Sequence, residues 1–382
     1  MSLRLLLSCG EASGDLYAGA LTRALRDLVP DVDVAGLGGP AFAAAGGRVL
    51  VDYRGLSVTG FTEIVAKVPR LRAAKRALID EARRSTPHAL VAIDYFGFNA
   101  RLARDAARLD IPIVYYVSPQ VWAWRSGRIK TIRALVRRML VIFPFEEAIY
   151  REAGVPVEFV GHPLVDLAHS GESREAMLQE LGMDAAAPVV ALLPGSRASE
   201  LRRILPTLAD AARSIVSRMP QVQFVLARAP HLDDRLFEPA RGLPRCAIVD
   251  GRTDAVLAAA DLVLTASGTA TVQTALHGTP MVVVYRVSPL EYRLVRPMVK
   301  LETFAMVNLI AGRRIVPELI QGEFTAERVA AEAVSLLTDP ARAARMRADL
   351  AGVRERLGAP GASRRAAQAI LDIVGETCDT SS

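Results

Sequence analysis

Leu192-Leu-Pro-Gly-Ser-Arg-Ala-Ser-Glu-Leu201 marks a change of backbone. An apolar run, Val189 to Leu193, stops at Pro194-Gly195, and a helical pattern opens from Ser196 to Glu200. Strand, glycine turn and helix start in that order make an anion seat. First-turn N–H groups lack partners inside the helix, and the helix end carries partial positive charge. Arg197 adds a planar, permanently charged donor suited to phosphate. The same residues read equally as an ordinary strand-to-helix turn capped by Ser196, and the spacing is not that of a Walker loop.

Ala266-Ser-Gly-Thr-Ala-Thr-Val-Gln-Thr-Ala-Leu276 repeats the arrangement after the apolar run Leu262–Thr265. Ser267, Gly268 and Thr269 offer hydroxyls and N–H groups with little bulk. Gln273 falls about one turn inside the helix, from where it can reach back to a ligand. Two such turns point to a nucleotide diphosphate at the carboxyl ends of parallel strands, seated by Gly195, Ser196, Arg197, Ser267, Gly268, Thr269 and Gln273. Close packing of small residues against a sheet is the alternative.

Outward from these turns, strand and helix patterns alternate. Leu3–Ser8, Val32–Leu37, Ala89–Asp94, Pro112–Val117 and Met139–Phe143 read as strands. Helices are expected from about Asp15 to Val29 and Thr62 to Ser85. Gly161 to Ser173 reads as a linker. The rhythm resumes at Val189–Leu193, Gln223–Leu226, Cys246–Val249, Leu262–Thr265 and Met281–Val284, then ends in helices. The fold class is therefore α/β: two Rossmann-like, doubly wound domains facing a cleft. The expected divisions are 1–168 and 169–345, with helices in 346–382 crossing back to the first domain.

The chain has 382 residues, of which 51% are hydrophobic and 23% charged, the balance of a folded protein rather than a disordered one. A net charge of +6 favours an anionic partner. No aromatic-basic interleaving supports nucleic-acid binding. Cys9, Cys246 and Cys378 lie far apart with no C-x-x-C pair, so neither disulfides nor a zinc site is indicated. No apolar window is long enough to span a bilayer, and the first residues do not read as a signal peptide. A cytoplasmic location is expected. Asp31-Val-Asp33 is the only Asp-x-Asp, and it precedes a strand, the end where ligand loops of a parallel sheet do not lie. No metal and no other cofactor is expected.

The first half carries its own candidate residues. Gly10-Glu-Ala-Ser-Gly-Asp15 follows the first strand and opens a helix, which Ser13 or Asp15 would cap while Glu11 meets sugar hydroxyls. Gly36-Leu-Gly-Gly-Pro40 lacks the full dinucleotide spacing, which argues against NAD. Asp94, in Ile93-Asp-Tyr-Phe-Gly-Phe-Asn99, sits where ligand loops begin and reads as a catalytic group or a helix cap. Val117 to Arg125 puts Trp122 and Trp124 on one loop, placed to stack on a sugar or to plug a wall.

With Tyr116-Val-Ser-Pro-Gln-Val-Trp-Ala-Trp-Arg125, Phe143-Pro-Phe-Glu146, Gly161-His-Pro-Leu-Val-Asp166, Leu193-Pro-Gly-Ser-Arg197 and Ser267-Gly-Thr-Ala-Thr271, the chain resembles the lipid-A-disaccharide synthase family to about residue 370. The resemblance implies a GT-B glycosyltransferase that needs no metal. It would join a UDP-2,3-diacylglucosamine donor to a 2,3-diacylglucosamine 1-phosphate acceptor, giving a β(1→6) disaccharide and UDP. It further implies acceptor-side roles for Ser13, Asn99, Gln120 and Trp122, and a diphosphate- or sugar-orienting role for Asn308. A place at the inner membrane follows, with homo-oligomerisation left open.

Three departures stand out. Phe96 and Gly97 replace the family's proline and second aspartate, Gln273 replaces a glutamate, and Met306-Val-Asn308 replaces Leu-Pro-Asn. Gly97 cannot take a proton, so the general base falls to Asp94, with Glu11 and Asp15 as rivals. A related transferase or epimerase, or a non-catalytic nucleotide-sugar binder, would share the same frame. Phe61, Ile64, Val65, Val68 and Leu71 recur at helical spacing among Lys67, Arg70, Arg72, Lys75 and Arg76, with Pro69 as a break. With the basic run Arg125 to Arg138, they read either as a surface for an anionic membrane or as a core-facing helix with a solvated side.

Overall fold

The computed structural model describes residues 3–56, 61–121, 127–288, 292–293 and 303–379, apart from the side chains of 61–66 and 377–379. The chain divides into two units, Met1–Pro163 with Leu357–Ser382, and Leu164–Arg356.

The first unit runs β1 (Arg4–Cys9), α1 (Ala12–Leu28), β2 (Asp33–Gly38), α2 (Pro40–Ala44), β3 (Arg48–Asp52), α3 (Phe61–Ser85), β4 (Ala89–Ile93), α4 (Phe96–Ala107), β5 (Ile113–Tyr116), α5 (Gly127–Leu135), β6 (Arg138–Val141), α6 (Pro144–Glu152) and β7 (Val157–Phe159). Its parallel sheet has the order β3-β2-β1-β4-β5-β6-β7. Every residue of β4 is fully buried, which explains its unbroken apolar run: helices cover both faces of a parallel sheet. α3 continues through Pro69, although proline removes one helical hydrogen bond. Burial of Ala74, Leu78, Ile79 and Ala82 against the core offsets that loss.

The second unit runs α7 (Leu164–Leu167), α8 (Arg174–Glu180), β8 (Val189–Leu193), α9 (Ala198–Arg218), β9 (Gln223–Arg228), β10 (Cys246–Asp250), α10 (Thr253–Ala259), β11 (Leu262–Ala266), α11 (Thr269–Leu276), β12 (Met281–Tyr285), α12 (Met306–Ala311), β13 (Glu318–Ile320), α13 (Ala326–Thr338) and α14 (Pro340–Arg356). Its sheet is parallel in the order β10-β9-β8-β11-β12-β13. The stretch expected as a linker contains α7, and α14 is unbroken through residue 346, packed on α11, α12 and α13.

The last helix, α15 (Ala362–Asp379), belongs to the first unit and packs on α1. It is anchored beside β7. Arg365 donates through Nε to the Val160 carbonyl at 2.8 Å, and its amino groups donate to Ala359 and Pro360. His162 N donates to Leu357 O at 2.8 Å. Gly161 and Gly358 meet so closely that a Cβ on Gly358 would lie 3.2 Å from the Gly161 Cα. Both have positive φ, +83° and +91°, which only glycine adopts at low cost.

Candidate active site

In each unit, the strand order reverses once. In the second it reverses between β8 and β11, which pair in parallel with Leu193 opposite Thr265. The two glycine turns read from the sequence therefore leave neighbouring strands at the switch point, where open α/β sheets bind ligands. In the first unit the reversal falls between β1 and β4, with Cys9 opposite Ile93. The Gly10 and Asp94 loops emerge there.

The Pro-Gly-Ser-Arg turn differs from expectation in one respect. The cap position of α9 is Arg197, not Ser196. The N–H groups of Ser196 and Arg197 are not open to a ligand: both donate to Oε2 of Glu200, at 3.0 and 3.3 Å. Glu200 Oε1 accepts from the Arg197 guanidinium at 3.3 Å, with the two side chains 36% and 15% exposed. Gly195 has φ +119°, and a Cβ there would lie 2.3 Å from Glu200 Oε2. The turn thus folds around its own carboxylate. Sequence reading missed Glu200, although a glutamate three residues past a cap is a known signal.

The second turn is open. Gly268, at φ +150°, caps α11 with no side-chain hydrogen bond, and Thr269 is exposed at the first helical position. Ser267 Oγ donates to Phe304 O at 3.3 Å. Gln273 does not turn back toward the ligand end. Its amide donates to Asp254 Oδ1 at 2.8 Å, an oxygen that also bonds His277 Nε2 at 2.8 Å. A glutamate at 273 would put a second carboxylate against Asp254, so the amide suits this neighbour. Asn308 is likewise corrected. Fully buried, it accepts from Ile315 N and Val316 N and donates to Val316 O and Glu318 Oε1. Its capacity is spent on holding a loop.

In the first unit, Asp94 follows β4 with φ +44°, and Tyr95 follows at +45°. Two consecutive left-handed non-glycine residues are costly and need a surrounding that fixes them. Here Asp94 N donates to Tyr116 O at 3.1 Å, while its carbonyl accepts from Tyr115 Oη and Asn99 Nδ2. The Tyr95 ring fills the space of a Gly10 side chain, within 2.1 Å of a Cβ, and its hydroxyl donates to Leu56 O. Tyr95, not Asp94, is the cap residue of α4. Asp94 is half-buried, and its charge adds to burial in raising the Tyr115 and Tyr17 hydroxyls.

Asp15 does not cap α1. It lies in that helix's first turn and accepts from Gly39, Ala41 and Phe42 N–H groups at 2.7, 2.9 and 3.2 Å, capping α2 instead. A buried carboxylate with three N–H partners has a structural role of its own, so the base reading passes to Asp94 and Glu11. Asn99 is also structural: buried, it accepts from Ser8 Oγ and donates to Ser8, Ile93 and Asp94 carbonyls. Glu11 is the cap residue of α1 and its charge reaches Tyr95, whose hydroxyl is raised to about 12, mostly by burial. Ser13 is half-buried in the first turn of α1, and Gln120 is exposed. Trp122 lies outside the described residues, as does Trp124. Gly97 borders an open depression with Phe96, Gly127, Arg128 and Thr131, and nothing stands within 4 Å of where its Cβ would be. Among the described residues, no cluster of three or more His, Cys, Asp or Glu is placed to hold a metal.

Two parallel Rossmann-like units, each with one reversal of strand order, make the fold shared by GT-B glycosyltransferases and UDP-sugar epimerases. Solved structures agree with that fold. The UDP-GlcNAc 2-epimerase of Neisseria meningitidis bound to UDP-GlcNAc aligns with a TM-score of 0.68 at 11% identity, covering 97% of this chain and 100% of that one. The calicheamicin glycosyltransferase CalG4 aligns at 0.61 and 16%, over 98% of each. The family model for lipid-A-disaccharide synthetase matches residues 5–373. Lipid-A-disaccharide synthase of Myxococcus xanthus is 43% identical over 375 residues, 97% of each chain. The chain belongs to the lipid-A-disaccharide synthase family, a family of glycosyltransferases.

Proposed function

We propose that this glycosyltransferase joins UDP-2,3-diacylglucosamine to 2,3-diacylglucosamine 1-phosphate in a metal-independent, inverting step. The observation that carries the reading is the pair of turns at the β8/β11 reversal, one bearing Arg197 and the other leaving α11 uncapped. The acceptor's primary hydroxyl attacks the anomeric carbon opposite the diphosphate. The new C–O bond forms as the bond to the diphosphate oxygen breaks, and that electron pair leaves on UDP. Arg197 and the end of α11 stabilise the departing charge. The hydroxyl proton passes to a carboxylate.

Asp94 is the base in this reading, with Glu11 as its remaining rival. In support, Asp94 stands at the carboxyl end of β4 on a backbone held by Tyr115, Tyr116 and Asn99. Ser13, Gln120 and Trp122 stay on the acceptor side as expectations from family. The charge of Arg70, Arg72, Arg76, Lys130 and Arg133, all exposed, supports docking on an anionic membrane that presents both lipid substrates. No helix among the described residues is long and apolar enough to cross a membrane.

Purified protein supplied with both lipids should yield the disaccharide phosphate by mass spectrometry, with one UDP per product. Release of UDP without a condensed product would overturn the reading.

A further inference from the structure

We infer that Glu200 is a positioning residue for the donor: it aims Arg197 at the departing diphosphate and sets the shape of the turn that carries it. The inference rests on the donor seat proposed above. One carboxylate joins four consecutive features of the turn. It accepts from Ser196 N and Arg197 N, pairs with the Arg197 guanidinium, and occupies the space that only a glycine at 195 leaves empty. A helix start with two such N–H groups ordinarily receives the anion itself. Here the chain's own carboxylate takes them, so the donor contacts this turn through the Arg197 side chain. A guanidinium has five N–H donors in a fixed fork. The contact to Glu200 engages the NH1 nitrogen and fixes the plane in which the fork lies.

The pairing also sets what Glu200 does not do. Its oxygens are committed to backbone and guanidinium donors, so it takes no proton in the transfer. Its effect passes through Arg197 and should appear in UDP binding and in kcat/KM for the donor, since Arg197 meets the diphosphate both bound and departing.

A double-mutant cycle tests this, with UDP affinity measured by calorimetry on Arg197→Ala, Glu200→Gln and the pair. Gln keeps the length and one acceptor for the Ser196 N–H but loses the ion pair. Glu200→Gln is expected to weaken UDP about tenfold, the size of one ordinary hydrogen bond, and to lower kcat/KM for the donor by at least as much. Its thermal midpoint should stay near the parent's. The loss should vanish on the Arg197→Ala background, because coupled groups are not additive. Gly195→Ala, which pushes the carboxylate aside, should reproduce the loss of UDP affinity and of kcat/KM. If Arg197→Ala weakens UDP while Glu200→Gln binds it as well as or better than the parent, the positioning role is overturned and the carboxylate is a competitor. Unchanged affinity in Arg197→Ala overturns the donor seat itself, and this inference with it.

Discussion

Gly97 stands where the family resemblance leads one to expect an aspartate, and no steric reason excludes one. Its Cβ would meet open space, and it is the second residue of α4, whose first turn has no acidic group. An aspartate fits there and suits the positive helix end. Gly97→Asp is therefore expected to fold at parental stability or slightly above. Asp94→Asn should lower turnover by about 10²–10⁴-fold with donor binding intact, the usual worth of a general base. Adding Gly97→Asp to that variant should restore part of the loss. Steady-state kinetics on the two single variants and the double variant checks this. Parental turnover in Asp94→Asn would shift the assignment to Glu11. The residue scale is also where sequence reading was weakest. Asp15, Asn99, Asn308 and Gln273 have the chemistry of ligand contacts and stand near the right strand ends. What they bond to depends on residues 5 to 91 positions away, which no local pattern displays.

Elements were far more legible. Strands buried on both faces, such as β4 and β8, announce themselves as apolar runs. β3, β7 and β13 went unread because all three are edge strands, β7 and β13 are only three residues long, and most residues of β3 and β7 are half-exposed. The α1–α2 junction shows how one side chain ties two elements. Asp15 serves N–H groups at the start of a five-residue helix with no side-chain cap of its own on Gly39. Asp15→Ala would leave those donors buried and unsatisfied, at a cost of about 2–3 kcal/mol. Denaturant unfolding should show that loss. If the variant kept full stability while losing turnover, Asp15 would return as a catalytic group.

At the scale of the whole molecule, charge and pH make separate demands. Burial lowers the His162 imidazole to about 3, beside Tyr17 and Phe143. The folded state therefore keeps it neutral while the unfolded chain protonates near 6.5. Stability is unaffected above pH 6.5 and falls as pH drops from there toward 3, by up to about 1.4 kcal/mol per unit. Unfolding of His162→Gln at pH 5 and pH 7 should show a smaller pH difference than the parent. An equal difference would mean that other groups account for the slope.

The basic surface is smaller than its sequence implies. Arg137 and Arg138 meet Glu376 and Glu158, and Lys75 meets Asp105, so acids distant in sequence neutralise part of both runs. Leu71 packs on the core, while the side chains of Phe61, Ile64 and Val65 lie outside the described residues. Sedimentation should still favour anionic over neutral vesicles, with salt reducing the difference. Equal binding to both would count against an electrostatic dock.

The hydrogen bond from His162 N to Leu357 O closes the first unit around the ends of the second, so in wiring the second is an interruption of the first. Residues 164–356 leave and re-enter at a single point, as a cassette spliced into a host would. A host gene with that cassette cut out and a few glycines bridging Pro163 to Leu357 should still express a folded seven-stranded sheet. The excised cassette, expressed by itself, should still bind UDP.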